Sequence, residues 1–117
     1  FDLYYRQALK VWQLFRQKFY AAFESYDLLL LPVIKSFPSL TGESSSFISA
    51  YEEDCFTAPV SMTGLPALSL PAGQVDKLPV GVQLVAQPFA EDLLLKVGSQ
   101  VMKDLNIPPA GLVEGGE

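Results

Sequence analysis

Apolar side chains recur near the start of the chain at Tyr4, Ala8, Val11, Trp12, Phe15, Phe19, Ala22 and Phe23. These spacings return to one face of an α-helix, so a long amphipathic helix is predicted. Asp2 stands where a capping carboxylate belongs, and Arg6, Lys10, Gln13, Gln17 and Glu24 supply a polar face read as solvated surface. After Asp27 the pattern changes to a short unbroken apolar run, Leu28 to Leu31 followed by Pro32. Such runs belong to strands covered on both faces, which need a neighbour on each side. Residues 35–49 turn to Ser, Pro, Gly and Thr with scattered Phe and Leu, the composition of a surface loop.

Residues 54–64 predict a short helix, with Thr57 at its N-cap, Pro59 tolerated in the first turn and Gly64 closing it before Pro66. Ala67 to Pro71 and Val80 to Ala86 read as two strands of a hairpin joined through residues 72–79, where Gly73, Asp76 and Lys77 supply turn chemistry. Pro71 and Gly81 predict irregular pairing or a bulge. A last helix is expected over residues 89–105, with Glu91 and Asp92 in its first turns, Lys103 near its end, and Ala90, Leu94, Val97, Val101 and Leu105 on one face. Pro108, Pro109, Gly111, Gly115 and Gly116 predict a flexible tail over residues 108–117. The fold class that follows is α/β, with two long helices packed against part of a mixed sheet.

Length and composition narrow the role. The 117 residues fit a single domain, yet half of them are hydrophobic, a high share for a chain with so much surface for its volume. That share, and a start at Phe1 with neither a charged leader nor an apolar signal core, fit a segment cut from something larger. Residues 1–107 are accordingly expected to be part of a domain rather than a whole one. No apolar stretch reaches the roughly 18–20 residues of a membrane span. The formal net charge of -5 offers no overall basic field for nucleic acid. With one cysteine, Cys55, and no histidine, this chain cannot form an internal disulfide, a Cys-cluster or His-liganded zinc site, or a catalytic group built on His. A reducing setting, cytoplasm or organellar matrix, is the expectation.

Familiar chemical motifs fail in turn. There is no Gly-x-x-x-x-Gly-Lys phosphate cradle and no Gly-x-Gly-x-x-Gly. Ser44, Ser45 and Ser46 follow Gly42 without the strained Gly-x-Ser-x-Gly turn of a nucleophile. Glu52, Glu53 and Asp54 could pair as carboxylates, although adjacent acids also suit a solvated helix start.

One longer run is more specific. Tyr51-Glu52-Glu53-Asp54-Cys55-Phe56-Thr57-Ala58-Pro59-Val60-Ser61-Met62-Thr63-Gly64-Leu65-Pro66, then Ala67-Leu68-Ser69-Leu70-Pro71 and Leu78-Pro79-Val80-Gly81-Val82-Gln83-Leu84-Val85, resembles the distal half of the amidase-signature family. The opening Asp2 to Ala8, the Asp27 to Pro32 run with Gly42-Glu43, and Phe89 with Glu91 and Leu94 continue the likeness in order, over roughly residues 1–105. The chain looks most like the carboxy-terminal part of the family's tRNA-linked branch, the A subunits of glutamyl-tRNA(Gln) amidotransferases. Free-standing amidases, which hydrolyse small carboxamides, share the Met62-Thr63-Gly64 and Leu68 to Pro71 spellings and remain the alternative. Ser61, Trp12 and Val33 stand where the family pattern usually has Asn, Arg and Thr.

The resemblance implies that the parent hydrolyses glutamine to supply ammonia for converting Glu-tRNA(Gln) to Gln-tRNA(Gln). It implies a nucleophilic Ser activated by a second Ser and a Lys, all preceding the matched region, so no catalytic residue is assigned here and the chain alone is expected to be inactive. It also implies that Asp54 grips the α-ammonium of glutamine, a substrate-binding role for which a carboxylate is the suited partner. No metal or cofactor is expected in this chain; ATP and Mg²⁺ would belong to a tRNA-binding B subunit, with a small C subunit clamping the pair. The expected partners are thus the missing amino-terminal part of the same protein, the B and C subunits, glutamine, and tRNA through the complex, with no membrane.

Overall fold

The computed structural model describes residues 2–35, 54–75 and 78–106. Helix α1 (Asp2–Phe23) leads into strand β1 (Leu28–Pro32); helix α2 (Ala58–Thr63), strands β2 (Ala67–Val75) and β3 (Leu78–Ala86) and helix α3 (Glu91–Asp104) follow. The α/β class and its elements are as the sequence predicts. The predicted loop at 35–49 and tail at 108–117 fall almost wholly outside the described residues.

Strand β3 is the centre of a three-stranded sheet of order β1-β3-β2, and both of its pairings are antiparallel. Leu28 to Pro32 lie opposite Ala86 to Val82, and Ala67 to Pro71 lie opposite Val85 to Gly81. Because side chains alternate across a strand, β3 serves two cores at once. Val85 joins Phe23, Val60 and Leu65, with Phe19, Leu29 and Leu31 packed around them. Leu84 and Ala86 join Leu70 and Leu94 beneath α3, with Leu28, Leu68, Val97 and Val101 alongside. Val85 and Ala86 are completely buried. Burial of this kind is worth about 1.5–3 kcal/mol for a Val or Leu side chain. The result is three layers: α3, the sheet, then α2 with the end of α1.

The hairpin is longer than Pro71 and Gly81 suggest. The ladder shifts register between Pro71 and Gly73, then resumes as Gly73, Gln74 and Val75 face Val80, Pro79 and Leu78. Gly73 has φ 133, a backbone region open to glycine, and so carries the irregularity that lets pairing continue. Residues 72–75 and 78–79, predicted as connection, are therefore strand.

Two other expectations change. Asp2 is not a cap outside the helix: it lies within the first turn, where its carboxylate meets Arg6 at 3.1 Å. The pair is exposed and adds little stability. The apolar stripe of α1 is real in register, but only Phe23 is buried, and Trp12, Phe19 and Ala22 are half-buried. Tyr4 is 79% exposed, and Ala8, Val11 and Phe15 are exposed too. A 22-residue helix is about 33 Å long while the five-residue β1 beside it runs about 17 Å, so most of α1 overhangs the core. Strand β1, expected to be covered and paired on both sides, pairs among the described residues only with β3 and shows Leu30 65% exposed.

Helix α1 ends where polar groups outside it take over its carbonyls. Ser25 and Tyr26 donate to the Ala22 carbonyl at 3.1 Å each, and the Gln87 side-chain amide donates to the Phe23 carbonyl at 3.2 Å. That last bond fastens the end of α1 to the residue just past β3. On the other face, Gly98 lets α3 approach β2 closely, since a β-carbon there would collide with the end of the Leu68 side chain.

Two outcomes follow from this packing. Gly98→Val should lower stability by about 1–3 kcal/mol through overpacking against Leu68, read as a fall in melting temperature. The 117-residue chain studied by itself should elute from gel filtration as associated species, because α1 and Leu30 present apolar surface and β1 an edge with no partner among the described residues. A monodisperse monomer with a cooperative melt would contradict this.

Candidate functional site

Asp54 opens the described segment that leads into α2, and its role begins with its main chain. The Asp54 carbonyl accepts from the Ala58 amide at 2.9 Å and the Thr57 amide at 3.2 Å, so residues 54–57 are already wound into a turn when α2 begins. Thr57 occupies the N-cap position as predicted, yet its backbone is helical (φ -92, ψ -39) and its hydroxyl makes no capping bond. That hydroxyl turns back to the Asp54 carbonyl at 3.5 Å. The wound turn removes the extended geometry that an N-cap side chain needs to reach forward. Pro59 fits the first turn, where an amide proton has no intrahelical partner.

Gly64 closes α2 with φ 71, and its amide donates to the Ser61 carbonyl at 3.2 Å. This left-handed closure is the one the Gly64-Leu65-Pro66 sequence predicts. The buried Thr63 hydroxyl lies 2.9 Å from both the Pro59 and the Val60 carbonyl and donates within the helix. Trp12 holds the helix from outside, its indole Nε1–H donating to the Met62 carbonyl at 2.7 Å. A six-residue helix has little stability of its own, so these ties and the burial of Val60 set its position.

The Asp54 residue is exposed, as is the Cys55 thiol. Glu52, Glu53 and the serines 44–46 lie outside the described residues, so the carboxylate cluster and the serine run have no structural account. Among the described residues no group of three or more His, Cys, Asp or Glu side chains gathers as a metal site.

Two shallow grooves lie away from Asp54. One, of about 500 Å³, runs along α1 between Trp12, Gln13, Arg16, Gln17 and Tyr20, where the Arg16 guanidinium lies 5.4 Å from the centre of both the Trp12 and the Tyr20 ring. The other, of about 330 Å³, follows α3 between Leu93, Lys96, Val97, Gln100 and Val101. Neither brings together an acid, a base and a nucleophile.

Sequence reasoning passed over Gln83. Only 3% exposed, it donates through its side-chain Nε2 to the Pro32 carbonyl at 3.2 Å and the Phe56 carbonyl at 3.0 Å. The signal was present: alternation puts Gln83 on the same face of β3 as Val85, and a polar side chain facing a core must find partners. Which partners could not be read from spacing, since they lie 51 and 27 residues away.

Three antiparallel strands between helices, with an acid-bearing turn entering a short Pro-containing helix, agree with the likeness noted in the sequence. The amidase family model matches residues 1–95, and the chain belongs to the amidase family. The A subunit of the glutamyl-tRNA(Gln) amidotransferase of Moorella thermoacetica is 47% identical over 97 residues, which make up 82% of this chain and 20% of that protein. Its counterpart in Fusobacterium nucleatum is 39% identical over 111 residues, 92% of this chain and 23% of that protein. The chain thus spans between a fifth and a quarter of these relatives' length. Among solved structures, the corresponding A subunit from Thermotoga maritima superposes with a TM-score of 0.82 at 30% identity, covering 88% of this chain and 23% of that one. A 6-aminohexanoate cyclic dimer hydrolase gives 0.70 at 32% identity, covering 80% and 23%. Among the described residues no helix is long and apolar enough to cross a membrane.

Proposed function

We propose that this chain is a segment of the glutamine-hydrolysing subunit of a tRNA-dependent amidotransferase, which supplies ammonia to convert Glu-tRNA(Gln) to Gln-tRNA(Gln). The observation that carries the reading is the 39–47% identity to the A subunits of glutamyl-tRNA(Gln) amidotransferases over most of the chain. The segment forms one wall of the amide-substrate pocket. Asp54 offers its carboxylate to the α-ammonium of glutamine, and its exposure before α2 and the fixed turn beneath it support that role. An anionic acceptor facing an ammonium makes a charge-assisted hydrogen bond, stronger than a neutral one.

The nucleophilic Ser, its partner Ser and the Lys come from the remainder of the same protein. The B subunit holds tRNA, ATP and Mg²⁺, and the C subunit joins the other two. Likeness to an amidase at 26% identity and to 6-aminohexanoate cyclic dimer hydrolase at 32% supports a second reading, a free-standing amidase acting on small carboxamides. Dependence of amide turnover on a tRNA-binding partner separates the two.

The 117 residues alone should release no ammonia from glutamine above a heat-killed control, because acyl transfer needs a nucleophile and its activating base together. In the full-length protein with its partners, Asp54→Asn removes a charge-assisted bond worth about 1.5–3 kcal/mol. Glutamine-dependent kcat/KM should then fall by roughly one to two orders of magnitude, at about 1.4 kcal/mol per factor of ten. Amidation driven by free ammonia should persist. Unchanged glutamine kinetics would remove Asp54 from the substrate site, and parallel loss with both nitrogen donors would mean damaged folding.

A further inference from the structure

The Phe56 carbonyl sits in the turn between Asp54 and α2. Three residues on is Pro59, which has no N–H to give. The donor it finds is the Gln83 amide, projecting from the central strand at 3.0 Å. The same nitrogen spends its other proton on the Pro32 carbonyl, at the end of β1, at 3.2 Å. A primary amide suits this place because one uncharged nitrogen carries two N–H groups, and a charge at 3% exposure would be costly. From β3 the chain of bonds continues through Phe56 into the turn, where the Thr57 and Ala58 amides hold the Asp54 carbonyl. Among the described residues the other side-chain bonds near α2 are local or distant: the Thr57 hydroxyl reaches the Asp54 carbonyl within the turn, Trp12 bonds the far end of α2, and Thr63 bonds only within it.

We infer that Gln83 is a positioning residue for substrate: by tying the Phe56 carbonyl to the sheet it sets where the Asp54 carboxylate stands, and hence how tightly the substrate ammonium is held. This rests on the reading of Asp54 as the ammonium contact. The effect acts on binding of the amide substrate and leaves the chemistry of the nucleophile alone, so it separates KM from kcat.

The test is made in the full-length protein assembled with its partners, using Gln83→Met, which keeps the length of the side chain and removes both donors. The KM for glutamine should rise about tenfold with kcat changed by less than about twofold, and the ammonia-driven rate should be unaltered. Hydrogen exchange at the Thr57 and Ala58 amides should quicken while the β2–β3 amides keep their protection. Combined with Asp54→Asn, Gln83→Met should add little further loss, since both act through one contact.

An unchanged KM in Gln83→Met, with Asp54→Asn impaired, overturns the positioning role and leaves Asp54 standing. A silent Asp54→Asn overturns both. Equal loss with glutamine and ammonia, together with a lower melting temperature, also overturns it by reducing Gln83 to a structural residue. Should Gln83→Met fail to fold, Gln83→Asn decides: it keeps the uncharged amide but shortens its reach by one methylene, so the KM for glutamine should rise while kcat and the ammonia-driven rate hold. An unchanged KM in folded Gln83→Asn with faster exchange at the Thr57 and Ala58 amides overturns the proposal.

Discussion

Strand β3 has hydrogen-bonded neighbours on both edges and helices on both faces. A strand in that position cannot shift by one residue without exchanging Val85 for Leu84 and Ala86 between the two cores, and Gln83 would be carried into the apolar side beneath α3. Every other element takes its place from this constraint. Strand β1 is set by its register on β3, α1 by the Gln87 bond to its last turn, and α2 by packing of Val60 near Val85.

Polar side chains on or just after β3 extend that control to main chain that lies outside the sheet. Gln83 and Gln87 reach three segments far apart in sequence: the end of β1, the turn before α2 and the end of α1. Each takes up a carbonyl at the boundary of a regular element, where the backbone's own bonding pattern runs out. Specific hydrogen bonds at these boundaries fix the element ends, while the apolar contacts hold the layers together.

The parts that were legible in the sequence are those governed by local periodicity or by backbone chemistry. The 3.6-residue spacing marked α1 and α3, and Pro59 with Gly64 marked both ends of α2. The hairpin was foreseen but cut short, because Pro71 reads as a strand end and only the register shift beside Gly73 lets the ladder resume. Tertiary partners were not legible: the stripe of α1 shows which face is apolar, and nothing in it shows that Phe23 is covered and Tyr4 is not. Asp54 was reached through resemblance alone, since an exposed acid before a short helix has no distinguishing pattern. Gln83 carried a signal in its alternation, but its partners are set by tertiary folding.

The placement of β3 also sets an order in time. The hydrogen bond from Gln83 to Pro32 spans 51 residues, and that from Gln87 to Phe23 spans 64. At about 5–20 residues per second, a ribosome that has made β1 needs roughly 3–10 s to make the strand that pairs with it. During that interval the run Leu28 to Leu31 waits for β3, its partner among the described residues, whereas β2 and β3 are neighbours in sequence and need close only a short turn. The nascent chain therefore completes the hairpin as a local unit and receives β1 on the free edge of β3, so of these three strands the one made first is the last that can be seated.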